Sequence, residues 1–189
     1  MKAVRANRYA LFLLIAIGGC AVDLGTKSWM FGQLGMPGGQ TWWVWQDVFG
    51  FQTSLNQGAL FGMGQGMQAV FAILSVMAAV GIVYWLFCAG AAHDWLLTVA
   101  WACITAGILG NLYDRLGLPG LKLHTGSSLP GTDQSVYAVR DWILVMIGSH
   151  PWPTFNVADS FLVCGALLLA WYVFRPRPQE APLHSTGTS

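Results

Sequence analysis

The sequence predicts an all-α integral membrane protein with four transmembrane helices, a small external β-containing segment and an inserted outer loop. Of its 189 residues, 55% are hydrophobic and only 9% are charged. Such a composition differs from that of a water-soluble globular protein. Each of four apolar stretches is long enough to cross a hydrocarbon core of about 30 Å as a helix. They lie at about residues 9–31, 68–92, 95–112 and 156–174.

The first of these stretches follows a basic N-terminus. Lys2, Arg5 and Arg8 precede it, as basic residues also precede the apolar core of a signal peptide. The sequence IGGC at residues 17–20 approaches a lipobox, so a lipoprotein precursor is an alternative interpretation. The segment continues to Phe31, however, and so reaches the roughly 20 residues that a spanning helix needs.

Four spans place both termini on one side of the membrane. The basic N-terminus, together with Arg175 and Arg177 after the last span, predicts that this side is the cytoplasm. Four other basic residues then lie outside, so the charge distribution supports this orientation only in part. Residues 1–175 are predicted to form a single domain, and residues 176–189 a disordered cytoplasmic tail.

Two longer segments connect the spans on the outer side. Residues 32–66 contain three tryptophans between Trp42 and Trp45, which suit a membrane interface and are expected to lie on the membrane as a clamp. A short β-like run then ends at Asn56. Residues 116–138 are rich in Gly, Pro, Ser and Thr and predict a surface loop.

Polar residues gather at the outer ends of the spans. Ionisable residues in membrane spans are rare and commonly mark functional sites. The first, third and fourth spans contribute Asp23, Lys27, Asn111, Asp114, Arg115, Asn156 and Asp159. Their convergence on one face predicts a functional site at the outer membrane boundary.

Two aspartates are the main candidates for chemistry. Asp159 precedes fifteen uncharged residues, 160–174, and Asp141 lies eighteen residues before it. Asn156 could simply cap the fourth helix, with Asp159 at its positive end. Capping does not explain the second aspartate. Two close carboxyls cannot both ionise easily, so one pKa is expected to rise and the pair to act as acid and base, in roles left unassigned.

Several other functions are weakly supported. The net charge of +1 gives no reason to expect nucleic acid, and the four cysteines and four histidines lack metal-ligand spacing. No metal is predicted. A small proton- or ion-coupled transporter, with Asp23, Asp114 and Asp159 along its path, is the main alternative. A non-enzymatic membrane assembly factor is a third possibility.

Five short motifs occur in a fixed order along the chain. They are D-x-x-x-K from Asp23, N-x-G-A-x-F-G from Asn56, G-N-x-x-D-R from Gly110, V-x-D-W from Val139 and F-N-x-A-D from Phe155. Together they resemble the lipoprotein signal peptidases, or signal peptidase II family, over about residues 23–174. The resemblance implies a four-span, cofactor-free aspartyl endopeptidase of the bacterial inner membrane. Such an enzyme removes the signal peptide just before a diacylglyceryl-modified cysteine.

The resemblance also implies roles for individual residues. It assigns catalysis to Asp141 and Asp159. Residues that hold the substrate or support the site would be Asn56, Asn111, Asp114, Arg115, Asn156, Asp23 and Lys27. The implied partners are prolipoprotein substrates and membrane lipid, and a monomer is expected.

One departure from the family pattern affects this assignment. Twenty-three residues separate Arg115 from Val139, where the family usually has a handful. The insertion directly precedes Asp141, so Asp114 is an alternative partner for Asp159. The V-x-D-W context favours Asp141, and Asp114 beside Arg115 is expected to be an ion-paired support residue.

Overall fold

Four helices form the body of the protein in a computed structural model that describes residues 4–58, 63–123 and 134–175. They are α1 (Ala6–Leu34), α2 (Gln68–Val83), α3 (Trp95–Arg115) and α4 (Val157–Phe174). One π-helical turn, Tyr84–Cys88, extends α2. Each span is long and apolar enough to cross a membrane, which confirms the prediction of four such helices. α1 continues unbroken past the IGGC sequence.

α3 is the central helix and packs against the other three. Its contact with α4 is close because glycines face the partner helix. A side chain at Gly107 would collide with the carbonyl oxygen of Ala158, and one at Gly165 would lie 2.7 Å from the carbonyl oxygen of Ala100. Small residues at these positions let the two helix backbones approach, as in other membrane helix pairs.

A four-stranded antiparallel sheet covers the end of the bundle where α3 finishes and α4 begins. Its strands are β1 (Trp42–Trp45), β2 (Phe49–Asn56), β5 (Val139–Ile147) and β6 (His150–Pro151), in that order across the sheet. The all-α prediction is therefore incomplete, because only the run ending at Asn56 was expected to be β-like. β5 has the sequence VRDWILVMI, rich in the β-branched and aromatic residues that favour strands.

The insertion between α3 and β5 contains a second, two-stranded sheet. Its strands are β3 (Lys122–Leu123) and β4 (Gln134–Ser135). Val136 and Ala138 are buried, so the end of this insertion is packed and is not a free surface loop. Residues 124–133 lie outside the described residues, as do residues 59–62 of the second motif and the predicted tail, 176–189.

The tryptophan segment forms the edge strand β1. Trp42 and Trp45 are 47% and 68% exposed, so neither is buried inside the sheet. Trp42 packs edge-on against Trp29 of α1, with ring centroids 6.4 Å apart. The predicted interfacial position is compatible with this exposure.

Candidate active site

Asp141 and Asp159 line one cavity of about 770 Å³ at the junction of the sheet and the helices. Asp141 is the third residue of β5, and Asp159 lies in the first turn of α4. The pairing of β5 with β2 places Asp141 opposite Ser54 and brings Asn56 to the same cavity. The structure therefore brings together the two aspartates that the sequence selected.

Asn156 links the two aspartates. Its side-chain oxygen accepts the N–H of Asp159 at 3.0 Å, and Oδ2 of Asp159 accepts the N–H of Asn156 at 3.1 Å, which closes a capping box at the start of α4. Its Nδ2 donates to Oδ1 of Asp141 at 2.6 Å. The helix cap and the link between the two aspartates therefore depend on the same residue, which is fully buried.

Asn111 connects Asp159 to the charged residues beneath it. Its Nδ2 donates to Oδ1 of Asp159 at 2.8 Å. Its Oδ1 accepts from Lys27 Nζ at 2.9 Å and from Asn156 Nδ2 at 3.2 Å. Because two donors face the oxygen, the amide is oriented with its N–H toward Asp159.

Asp23 and Lys27 form the expected pair, with Nζ and Oδ2 2.7 Å apart and both side chains fully buried. Asp23 also accepts the N–H of Ala158 at 2.8 Å, which ties α1 to the start of α4. Lys27 reaches Asp114 as well, at 3.0 Å. This pair therefore lies beneath the cavity and not on its wall.

Asp114 is ion-paired, as expected, but its partners are Lys27 and Arg140 and not the adjacent Arg115. Its Oδ1 lies 2.8 Å from Nε of Arg140, a residue that the motifs did not single out. Asp114 is fully buried and absent from the cavity lining, whereas Asp141 is part of it. This placement favours Asp141 over Asp114 as the partner of Asp159.

Arg115 and Asn56 also line the cavity. Nη2 of Arg115 donates to the carbonyl oxygen of Gly58 at 3.2 Å, and its guanidinium lies 5.6 Å from the ring centroid of Phe71. Asn56 accepts the N–H of Gly58 at 2.9 Å and also hydrogen-bonds Asp141. These contacts leave both residues beside the aspartates and within the cavity lining.

The environment of Asp141 disfavours its charge. Burial raises the pKa of this carboxyl to about 7, and the neighbouring charge of Asp159 acts in the same direction. Hydrogen bonds from Asn156 and Asn56 oppose the rise, as does Lys27. A carboxyl that holds a proton near neutral pH can serve as an acid beside a second carboxylate.

The transporter alternative and the question of a metal site can be compared with this geometry. Asp23 and Asp114 are buried in ion pairs and do not line the cavity that Asp159 lines, whereas the ion path of a transporter would run along all three. Within residues 4–58, 63–123 and 134–175, no group of three or more His, Cys, Asp or Glu side chains could hold a metal ion.

Comparisons with known proteins identify related sequences. The family model described as Signal peptidase (SPase) II matches residues 15–175. A lipoprotein signal peptidase of Rhodopirellula baltica is 48% identical over 88% of this chain and 73% of its own length. Another, from Pseudomonas putida, is 35% identical over 73% of this chain and 72% of its own length.

A solved structure shares the fold. It is described as a bacterial membrane enzyme studied by the in meso method at 2.3 Å resolution, and it matches with a TM-score of 0.68 and 26% identity. The match covers 90% of this chain and 93% of that one. With its four potential spans, the protein is a multi-pass membrane protein. By sequence, it is a peptidase that belongs to the signal peptidase II family.

Proposed function

We propose that this protein is an aspartyl endopeptidase that removes the signal peptide of prolipoproteins, cutting just before the diacylglyceryl-modified cysteine. The observation that carries the proposal is the pairing of Asp141 and Asp159 on one cavity, joined through Asn156. Relatives at up to 48% identity are named lipoprotein signal peptidases, which supports the substrate class.

The raised pKa of Asp141 supports a division of roles between the aspartates. Because the pKa of Asp141 is raised to about 7, this carboxyl can hold the shared proton near neutral pH, and we assign Asp159 as the base. Asp159 accepts a proton from water as the water oxygen bonds to the scissile carbonyl carbon. Asp141 donates its proton to the carbonyl oxygen, and the product is a neutral tetrahedral diol with no covalent bond to the enzyme.

Collapse of the diol restores both aspartates to their starting protonation states. Asp159 delivers the proton that it took from water to the leaving nitrogen as the C–N bond breaks. Asp141 recovers its proton from a diol hydroxyl as the C=O bond re-forms. The net change is the addition of one water molecule across the peptide bond. The two carboxyls titrate as a coupled pair, so the pKa values in a pH–rate profile belong to the pair and not to either aspartate alone.

The remaining polar residues would hold the substrate or support the pair. Asn56 and Arg115 line the cavity and would bind the peptide backbone. Asn111 and Asn156 would orient the aspartates, and the buried charges below would fix Asn111.

The membrane context fits a lipid-modified substrate. The cavity is lined by Ser75 of α2 and by Val163 and Cys164 of α4, while α2 packs mainly on α3. An opening between α2 and α4 would let acyl chains remain in the bilayer while the peptide bond reaches the aspartates. The strand from Trp42 to Trp45 would lie on the outer membrane surface as a clamp.

The basic residues at both ends of the chain support the proposed orientation in part. Both termini face the cytoplasm, the site lies at the outer face of the bacterial inner membrane, and the enzyme acts as a monomer. Residues 1–175 form the peptidase domain, and residues 176–189 form a cytoplasmic tail. No cofactor takes part in the proposed chemistry.

Mass spectrometry of the products tests the proposal. Purified protein in lipid bicelles is mixed with a diacylglyceryl-modified prolipoprotein or with the same prolipoprotein lacking the lipid. We expect a single new N-terminus at the modified cysteine and little cleavage of the unlipidated form. Cleavage at another bond, or equal cleavage of both forms, would contradict the assigned substrate.

A further inference from the structure

Four charged side chains are buried together beneath the cavity. Asp23, Lys27 and Asp114 are fully buried, and Arg140 is 3% exposed. Two are acidic and two are basic, so the group is formally neutral. Lys27 contacts both carboxylates, and Arg140 contacts Asp114. Charges this deep are costly unless they are paired, and removing one member leaves another uncompensated.

Arg140 holds Asp114 from both its backbone and its side chain. Its N–H donates to Oδ2 at 3.1 Å, and Nε donates to Oδ1 at 2.8 Å. A third contact joins Nη1 to the hydroxyl of Ser28 in α1 at 3.3 Å. One residue of β5 is thereby fixed to α3 and α1, and the next residue in that strand is Asp141.

Stability alone accounts poorly for an arginine at this position. Its Nη2 is buried without a hydrogen-bond partner among the described residues. An unsatisfied buried donor destabilises a fold, and buried ion pairs are often no better for stability than apolar residues of similar size. The retained charge is better explained by the geometry that it imposes on its neighbours.

The contacts continue from Arg140 to both aspartates of the cavity. Asp114 is shared with Lys27, whose Nζ also donates to Asn111. Asn111 donates to Asp159, and Asn156 joins Asn111 to Asp141. Displacement of Asp114 would therefore be transmitted along hydrogen bonds to both carboxylates.

We propose that Arg140 is a positioning residue for Asp141 and Asp159. It anchors β5 on Asp114 and, through Lys27 and Asn111, sets the separation and orientation of the two carboxylates. Successive strand residues point to opposite faces, so Arg140 acts from behind the strand and does not touch the substrate. The predicted effect on turnover rests on the proposed function. The predicted anchoring of β5 rests only on the contacts described above.

A graded series of substitutions tests the proposal. Arg140→Met removes all side-chain donors, Arg140→Gln keeps one neutral donor group and Arg140→Lys keeps the charge. We expect kcat per folded enzyme to fall by about 10- to 100-fold in the Met variant, because small misplacements of reacting groups cost that much. The Gln and Lys variants should lie between it and wild type, with KM within about twofold throughout.

Leu144→Ala is the matched control. Leu144 is buried four residues further along the same face of β5, and its side chain has no charge and no hydrogen-bonding group. It should lower the melting temperature and leave kcat per folded enzyme close to wild type. Wild-type kcat in every folded Arg140 variant would overturn the proposal. It would also be overturned if kcat in Leu144→Ala fell as far as in an Arg140 variant of similar melting temperature.

Hydrogen exchange separates failure of this proposal from failure of the proposed function. If wild type cleaves no prolipoprotein, the function is wrong, and backbone exchange of residues 139–147 then decides the claim about Arg140. We expect faster exchange of Asp141 in Arg140→Gln and Arg140→Lys than in wild type. Unchanged exchange at Asp141 in these variants would overturn the anchoring role.

Discussion

Asn156 and Asp159 cap the same helix end reciprocally, each accepting the backbone N–H of the other at 3.0 and 3.1 Å. Asn156 also donates to Asp141 at 2.6 Å from the nitrogen of the same amide. The side chain of Asn156 has a carbonyl oxygen and an amide nitrogen, and only the oxygen is needed to cap the helix. The cap's role in stability can therefore be separated from its role in catalysis.

Asn156→Ser makes this separation. Serine is a good N-cap, so it should keep most of the helix-capping free energy, whereas Asn156→Ala should lose about 1 kcal/mol or more. Neither variant can donate to Asp141 from an amide nitrogen. We expect both to lose turnover by roughly 100-fold, comparable with the loss of other preorganised donors. Melting temperatures and kcat measured in parallel check the prediction, and near-normal turnover in the serine variant would contradict it.

The raised pKa of Asp141 predicts a pH dependence of stability. Its pKa is about 7 in the folded protein and close to 3.9 when the chain is unfolded. Between these values the folded state holds a proton that the unfolded state has released, so the contribution of Asp141 to stability is lost as pH rises from about 4 to 7.

Asp141→Asn removes this titration. The variant should become more stable than wild type as pH rises through this range, by up to a few kcal/mol near pH 7 and above. Thermal unfolding in detergent, followed by tryptophan fluorescence, measures the difference. A constant difference between the two proteins from pH 4 to pH 8 would contradict the environment described for Asp141.

Lys27→Met should be among the most destabilising substitutions. Lys27 is the sole cation that contacts Asp23 among the described residues, and it also contacts Asp114. Its loss leaves a buried carboxylate uncompensated, at a cost of about 3–5 kcal/mol. Lys122→Met, at an exposed position, is the control and should change stability by less than about 0.5 kcal/mol. Equal unfolding midpoints for the two variants would contradict the buried network.

Gly110→Ala should disturb the same network from the side of α3. A methyl group at Gly110 would collide with the Asp23 carboxylate and would also lie 3.1 Å from the Ala158 side chain. We expect lower stability and at least a tenfold lower kcat. Gly25→Ala in α1 has nothing within 4 Å of the added carbon and should leave both unchanged. If the two substitutions behave alike, the close contact at Gly110 is not important.

The sequence predicted the helices and many of the site residues because their signals are local. Uninterrupted apolar runs define the spans, and the four-residue spacing of Asp23 and Lys27 correctly predicts their ion pair. The strand containing Asp141 was not predicted, because only the V-x-D-W motif was singled out in that part of the sequence. Its short apolar run, which is rich in β-branched residues, was the signal that could have identified it.

The partners of Asp114 could not be predicted from spacing. Asp114 and Arg140 are 26 residues apart, and they meet only because β5 pairs with β2 and returns over the end of α3. The adjacent Arg115 was the expected partner, but it points to the carbonyl oxygen of Gly58. Contacts between distant segments depend on tertiary packing, which the local sequence around Asp114 or Arg140 does not reveal.

The most direct test of the account compares turnover in four proteins: wild type, Asp141→Asn, Asp159→Asn and Asp114→Asn. A lipidated prolipoprotein is the substrate, and a gel shift reports cleavage at matched amounts of folded enzyme. The account predicts that the Asp141 and Asp159 variants bind substrate but do not cleave it, while the Asp114 variant keeps measurable turnover if it folds. An active Asp141→Asn enzyme, beside a folded but inactive Asp114→Asn enzyme, would show that the catalytic pair has been wrongly assigned.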